Sequence, residues 1–303
     1  MHVLHVYKDY FPVLGGIENH IRLLAEGQVR RGLHVTVLVT NPRGWRTEED
    51  ELNGVRLIRA GRLATVASAP ISVSLAWAMR RLACDVIHLH FPYPVGEVAQ
   101  WLCGPRRACR VLTYHSDIVR QRGWLRLYTP LMHHILGGMD AILATSPPYA
   151  ESSPVLRRFR ERVQVVPLGV ELDRFLEAPP ERVAAWRARL APGEEPLLLF
   201  VGRLRYYKGL DVLLRALPRV RKGRLVIAGD GPMGKAWRDL AGALNVGTRV
   251  RFLGDVPDEE LPALYHAADL FVLPASARSE AFGTVLVEAM AAGLPLITTD
   301  VGT

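Results

Sequence analysis

Two α/β domains built on parallel sheets are what this chain of 303 residues predicts. Three observations lead there. Short β-rich runs alternate with helix-length segments along the chain, the signature of βαβ units and parallel sheets. The alternation falls into two series, separated by a Pro- and Glu-rich interval, EAPPERVAAWRARLAPGEEP, that reads as a linker. The length suits two domains, since roughly 100–200 residues make one.

The first series begins with an apolar strand at residues 2–7, then a glycine-bearing loop and a helical pattern from Ile17 to Val29. Strands are expected next at 34–40, 55–60, 85–90, 110–115, 141–145 and 164–168. The acidic run TEEDE, Thr47 to Glu51, reads as a solvated loop between strands. The second series opens on the continuous apolar run LLLFV at 197–201 and continues at 224–228, 249–254, 270–274 and 296–299. This places a first Rossmann-like domain at 1–172, a linker at 173–196 and a second Rossmann-like domain at 197–303. Ligands of open parallel sheets bind beyond the carboxyl ends of the strands, so the loops after each strand matter most.

Composition narrows the function classes. A hydrophobic share of 49% beside 22% charged residues belongs to a folded chain, not a disordered one. The excess of 38 basic over 30 acidic residues, net +8, favours anionic partners such as phosphates, nucleic acid or an acidic membrane face. An Arg-rich compositional bias accounts for the same excess. Cys84, Cys103 and Cys109 form no CxxC pair, which argues against a disulfide framework or zinc site and fits a reducing cytoplasm. The N-terminus does not read as a signal peptide, and no run approaches the ~18 apolar residues of a spanning helix.

Several motifs carry chemistry. In FPVLGGIENH, Gly15-Gly16 lies between a strand and a helix, where backbone N–H groups can approach an anion; a plain tight turn explains it equally. The spacing is not GxGxxG. In VGRLRYYKG, Arg203 and Lys208 share a strand-to-helix loop, a planar fork and a compact charge suited to a diphosphate. AGDGP, 228–232, reads as a structural turn. RFLGDVP ends a strand at the same edge, where a nucleobase could meet the backbone from Leu253 to Val256. His88 and His90 fall on one side of a strand and read as core or wall histidines, with no third ligand expected nearby. His115 is expected alone at a strand exit, in reach of substrate. No Asp-x-Asp pair follows a strand, so no metal–diphosphate clamp is expected. The stretch IVRQRGWLRLYTPLM, 118–132, interleaves Arg with aromatics and leucines, as an interfacial membrane helix does; a wall helix with a basic outer face fits as well. Nucleic-acid motifs do not accompany it. Last, SEAFGTVLVEAMAAGLP places Glu280 and Glu288 around Phe282-Gly283, either as a buried helix tolerating two acids or as a ligand site with two carboxylates.

Together these residues resemble the family 4 glycosyltransferases, retaining enzymes of the GT-B fold. Four stretches carry the resemblance in order: GGIE at 15–18, GRLRYYKG at 202–209, GDGP at 229–232, and the E-x7-E run with its trailing AxGxP. PLGVELDRF and the His115 strand end are weaker matches. The resemblance implies two Rossmann-like domains facing a central cleft. It also implies that Arg203 and Lys208 neutralise a donor diphosphate and that Glu280 contacts sugar hydroxyls. Backbone N–H groups near Phe282, Gly283 and Thr284 would hold sugar and phosphate, and Glu288 would accept from the ribose. Gly16 would approach the diphosphate from the other domain, and His115 would sit near the donor sugar.

The implied activity is metal-independent transfer, with retention, from a UDP- or GDP-sugar to a lipid-linked or glycan acceptor. The nucleotide sugar is a substrate, so no cofactor is expected. The implied setting is cytoplasmic, peripheral at the inner face of the membrane, in glycolipid or polysaccharide synthesis. Family members continue past DVGT through further βα units, so the chain reads as lacking that C-terminal segment. The alternatives are a GT-B epimerase or phosphorylase, and an inactive nucleotide-binding fragment.

Overall fold

The computed structural model describes residues 1–301 apart from 14, 43, 67–68, 119–121 and 281, and leaves the side chains of 122–125 undescribed. The chain divides into two compact units, Met1–Gly169 and Val170–Val301.

In the first unit the elements run β1 (His2–Val6), α1 (Gly16–Arg30), β2 (His34–Thr40), β3 (Glu48–Leu52), β4 (Val55–Ala60), β5 (Ala64–Val66), β6 (Ala69–Ile71), α2 (Val73–Arg81), β7 (Val86–Phe91), α3 (Pro94–Cys103), β8 (Cys109–Tyr114), α4 (Arg122–Gly137), β9 (Ala141–Ala144), α5 (Pro147–Ser152), α6 (Pro154–Arg158) and β10 (Val163–Val165). Eight strands form one sheet in the order β10-β9-β8-β7-β1-β2-β4-β3. All neighbours are parallel except β3 with β4. The order reverses between β1 and β7, which makes that pair the switch point of the sheet.

The second unit contains α7 (Asp173–Leu176), α8 (Pro180–Leu190), β11 (Leu197–Val201), α9 (Leu210–Ala216), β12 (Arg224–Ala228), α10 (Gly234–Ala243), β13 (Val250–Gly254), α11 (Leu261–Ala267), β14 (Leu270–Leu273), α12 (Thr284–Ala291) and β15 (Leu296–Thr298). Its sheet is wholly parallel, ordered β13-β12-β11-β14-β15. Every residue of β11 is buried, as a central strand covered on both faces requires. Here the order reverses between β11 and β14.

Two expectations are corrected. The acidic run is not a loop: β3 pairs antiparallel with β4, Glu49 meeting Arg56 at 2.8 Å and Asp50 meeting Arg59 at 3.4 Å. Cross-strand arginines let an acid-rich segment serve as a charged sheet edge. Nor does 173–196 behave as a free linker. Phe175, Leu190 and Ala191 are buried in the second unit's core, and Trp186 Nε1 donates to Glu260 at 3.0 Å. Helix α8 is tied to the sheet by Arg187, which meets Asp269 at 2.6 Å. Pro179-Pro180 and Pro192 therefore bracket a short packed helix.

Candidate active site

The second unit's switch point gathers most of the singled-out residues. After β11 the chain turns through Gly202 and Arg203 into a short 3-10 turn, Tyr206–Lys208. Gly209 ends that turn with φ 67, and a Cβ there would lie 1.8 Å from the Pro274 carbonyl oxygen. Only glycine permits this backbone and this approach. The contact pins the Arg203–Lys208 loop to the exit of β14, from which Glu280 descends. Lys208 Nζ lies 2.7 and 2.8 Å from the two Glu280 carboxylate oxygens. Their side chains are 10% and 11% exposed, so this is a buried ion pair. Tyr207 lies beside it; burial and then the Glu280 charge push its phenol up to about 12, so it stays neutral.

Gly229, in AGDGP, packs its α-carbon against the Gly202 carbonyl, where a Cβ would come within 2.3 Å. The turn is structural: it lets the β12 exit close on the β11 exit. Gly229 N–H also donates to Gly254 O at 2.7 Å, which ties the end of β13, with half-buried Leu253 and Val256 around it, to the same sheet edge.

Helix α12 starts at Thr284, with Gly283 as its N-cap at φ 68 and Phe282 half-buried just before it. First-turn N–H groups have no acceptor within a helix and face outward along its axis. Thr284 and Glu288 are i and i+4 on this helix. Glu288 accepts a hydrogen bond from the fully buried Tyr265 hydroxyl at 2.8 Å. Burial holds its carboxyl above the usual range, which the Tyr265 hydrogen bond partly offsets. Tyr265 belongs to α11, and nothing in its local sequence distinguishes it from a core tyrosine.

The first unit holds the largest departure from expectation. His115 is not alone, and His88 and His90 do have histidine neighbours. In register, His5 of β1 stands opposite His88 of β7, and His90 is two residues further along the same face. His115 follows β8, and His20 and Gln28 belong to α1. Rings of His88 and His90 stack at 4.5 Å, and those of His90 and His115 meet edge to edge in nearly parallel planes, their centroids 5.3 Å apart. Among the described residues, His5, His88 and His90, and again His20, His90 and His115, offer ring nitrogens within 4.8 Å of one another. Burial keeps these rings neutral. It depresses His5 and His20 to about 4 and holds His88, His90 and His115 well below the ordinary value.

Of the glycine pair, Gly15 rather than Gly16 is crowded: a Cβ on Gly15 would meet the Glu18 carboxylate at 2.0 Å, whereas Gly16 faces open space. Within 118–132, residues 119–121 and the side chains of 122–125 lie outside the described residues, so Arg120, Arg122 and Trp124 receive no structural account. Helix α4 contains the remainder, with Leu127 77% exposed and Met132 buried.

Two Rossmann-like units of parallel sheet, matched by glycosyltransferase family models and by solved structures, make this a glycosyltransferase of the GT-B fold. The chain belongs to glycosyltransferase family 4. The Glycosyltransferase Family 4 model matches residues 14–174, and that of Glycosyl transferases group 1 matches 184–303. Among its relatives, the D-rhamnosyltransferase WbpZ of Pseudomonas aeruginosa is 39% identical, over the whole of this chain and 78% of its own length. The O-antigen chain mannosyltransferase C of Escherichia coli is 37% identical, over the whole of this chain and 80% of its own. Among solved structures, a sucrose-phosphate synthase from Thermosynechococcus elongatus superposes with a TM-score of 0.80 at 25% identity, covering 99% of this chain and 82% of that one. Anabaena HepE, in complex with UDP and glucose, follows at 0.76 and 20%, covering 99% and 81%.

Proposed function

We propose that this chain is a retaining, metal-independent glycosyltransferase that moves a hexosyl group from a UDP- or GDP-sugar to a lipid-linked or glycan acceptor. The observation that carries the reading is the buried Lys208–Glu280 pair at the switch point of the second sheet, beside the start of α12. Lys208 and Arg203 meet the diphosphate, together with first-turn N–H groups at Thr284 and the backbone of Phe282 and Gly283. Charge develops there as the glycosidic bond breaks, and fixed cations and N–H donors stabilise it most. Glu280 accepts from sugar hydroxyls, Glu288 from the ribose, and the backbone from Leu253 to Val256 borders the base. Gly16 and His115 of the first unit are the proposed phosphate and donor-sugar contacts.

Neither glutamate acts as nucleophile in this reading, since Glu280 serves the sugar hydroxyls and Glu288 the ribose. The anomeric carbon–phosphate oxygen bond breaks as the acceptor oxygen attacks the same face, and the acceptor proton passes to the leaving phosphate. Relatives named for D-rhamnosyl and O-antigen mannosyl transfer favour a manno-configured sugar and a surface-polysaccharide acceptor. Among the described residues no helix is long and apolar enough to cross a membrane, and attachment is proposed to be peripheral.

A thermal-shift panel of UDP- and GDP-sugars identifies the donor, because a ligand of the native state raises its stability. Turnover of that donor is then expected to fall by about 100-fold or more in Lys208→Ala and Glu280→Gln, as when one charge-stabilising group is removed. Unchanged turnover in both would refute the site. Failure to co-sediment with anionic vesicles at low salt would remove the membrane proposal alone.

A further inference from the structure

The buried histidines of the first unit form an ordered hydrogen-bond chain. Gln28 Oε1 lies 2.8 Å from His5 Nε2, His5 Nδ1 lies 3.1 Å from His90 Nε2, and His90 Nδ1 lies 3.1 Å from His115 Nε2. A neutral imidazole has one N–H and one lone pair, so each ring donates at one end and accepts at the other. An amide oxygen only accepts, so His5 carries its proton on Nε2. Its Nδ1 then accepts from His90 Nε2–H, and His90 Nδ1 accepts from His115 Nε2–H. One polarity satisfies all three contacts. His88 braces the middle ring: it stacks on His90, and its Nε2 meets Thr113 Oγ1 at 2.7 Å.

We propose that Gln28, His5 and His90 are positioning residues whose hydrogen-bond chain fixes His115 as the Nε2–H tautomer, leaving Nδ1 to accept from a substrate hydroxyl. The tautomer follows from the chain alone; its use on substrate rests on the reading of His115 as a contact of the donor sugar. A metal ion explains the cluster less well. Both candidate sets consist of histidines without a carboxylate, and burying an uncompensated divalent charge is costly. Two of the ring contacts are already at direct hydrogen-bond length.

Long-range proton–nitrogen correlation on the full chain labelled with 15N-histidine reads each ring's tautomer. His115 is expected as the neutral Nε2–H form. Gln28→Leu removes the terminal acceptor and should lower the Nε2–H to Nδ1–H ratio of His115 by about fivefold, the weight of one hydrogen bond. Gln28→Glu keeps an acceptor oxygen and should restore the original pattern, and turnover should fall and recover in parallel. A wild-type His115 in the Nδ1–H form, or one unmoved by Gln28→Leu, overturns the proposal. So does stoichiometric zinc or nickel in the purified chain, because a metal on these nitrogens replaces the N–H donors. If His115→Ala leaves turnover unchanged, the donor-sugar reading fails while the tautomer result stands.

Discussion

Acidification probes the histidine cluster through stability. His5, His88, His90 and His115 are at most 6% exposed. Burial lowers His5 from 6.5 to about 4 and the other three well below 6.5. Between pH 6.5 and 4 the unfolded chain therefore binds protons that the folded rings refuse, and stability falls as pH falls. A ring at 6.5 unfolded and about 4 folded costs about 2 kcal/mol between pH 7 and 5, so His5 and His20 together cost about 4 kcal/mol, and His88, His90 and His115 add to the loss in the same direction. Glu97 of α3 works against this. Burial pushes its carboxyl up from 4.5 to about 7, opposed in part by hydrogen bonds from Tyr128 and from the Tyr93 N–H. Between pH 7 and 4.5 the folded chain binds that proton first, which returns about 2 kcal/mol by pH 5. From His5, His20 and Glu97 the expected net loss is about 2 kcal/mol, to which His88, His90 and His115 add, against the ~5–15 kcal/mol of an ordinary domain. Hydrogen exchange under graded urea, read on peptides from β1, β7 and β8, measures it. Glu97→Gln should deepen the loss by about 2 kcal/mol by removing the offset. Equal protection at pH 7 and 5 would refute the assignment of these rings as neutral and buried.

Two further predictions concern the second unit and the glycine pair. Tyr265→Phe deletes the donor to Glu288 and should weaken nucleotide affinity by about fivefold, the worth of roughly 1 kcal/mol, in calorimetry; an unchanged Kd means Tyr265 does not orient Glu288. Gly209→Ala forces both a left-handed φ and a collision with Pro274 O, and should cost about 3 kcal/mol or more in urea unfolding. Gly16→Ala, with open space around it, should stay within about 0.5 kcal/mol of the parent. An equal loss in both variants would contradict the packing described.

What the residues disclosed in advance was mostly local. LLLFV announces a doubly covered strand on its own, and the 34–40 and 55–60 strands carry their own β-branched and apolar runs. Strand β3 could not be read this way, because its pairing depends on Arg56 and Arg59 in another strand. The three-residue strands β5 and β6 are too short for an alternating pattern to register. Pro179-Pro180 and Pro192 suggested a break, yet Phe175 and Leu190 reach a core assembled from distant strands. The Lys208–Glu280 pairing and the histidine chain depend likewise on strand order and register. His5 and His88 are adjacent only because β1 and β7 meet at the switch point. Motif resemblance located Lys208 and Glu280 individually, but not their contact with each other.

That contact has a consequence for selectivity. The folded chain holds Lys208 and Glu280 as each other's counter-ion in a nearly dry setting, where a stranded charge is expensive. Under the proposed function, phosphate oxygens compete with the carboxylate for Lys208, and sugar hydroxyls compete with the lysine for Glu280. Only a molecule bringing phosphate and hydroxyls together, at the right separation, satisfies both partners in one exchange. On that reading the pair would act as a coincidence detector, favouring phosphate and hydroxyls joined in one molecule over either alone.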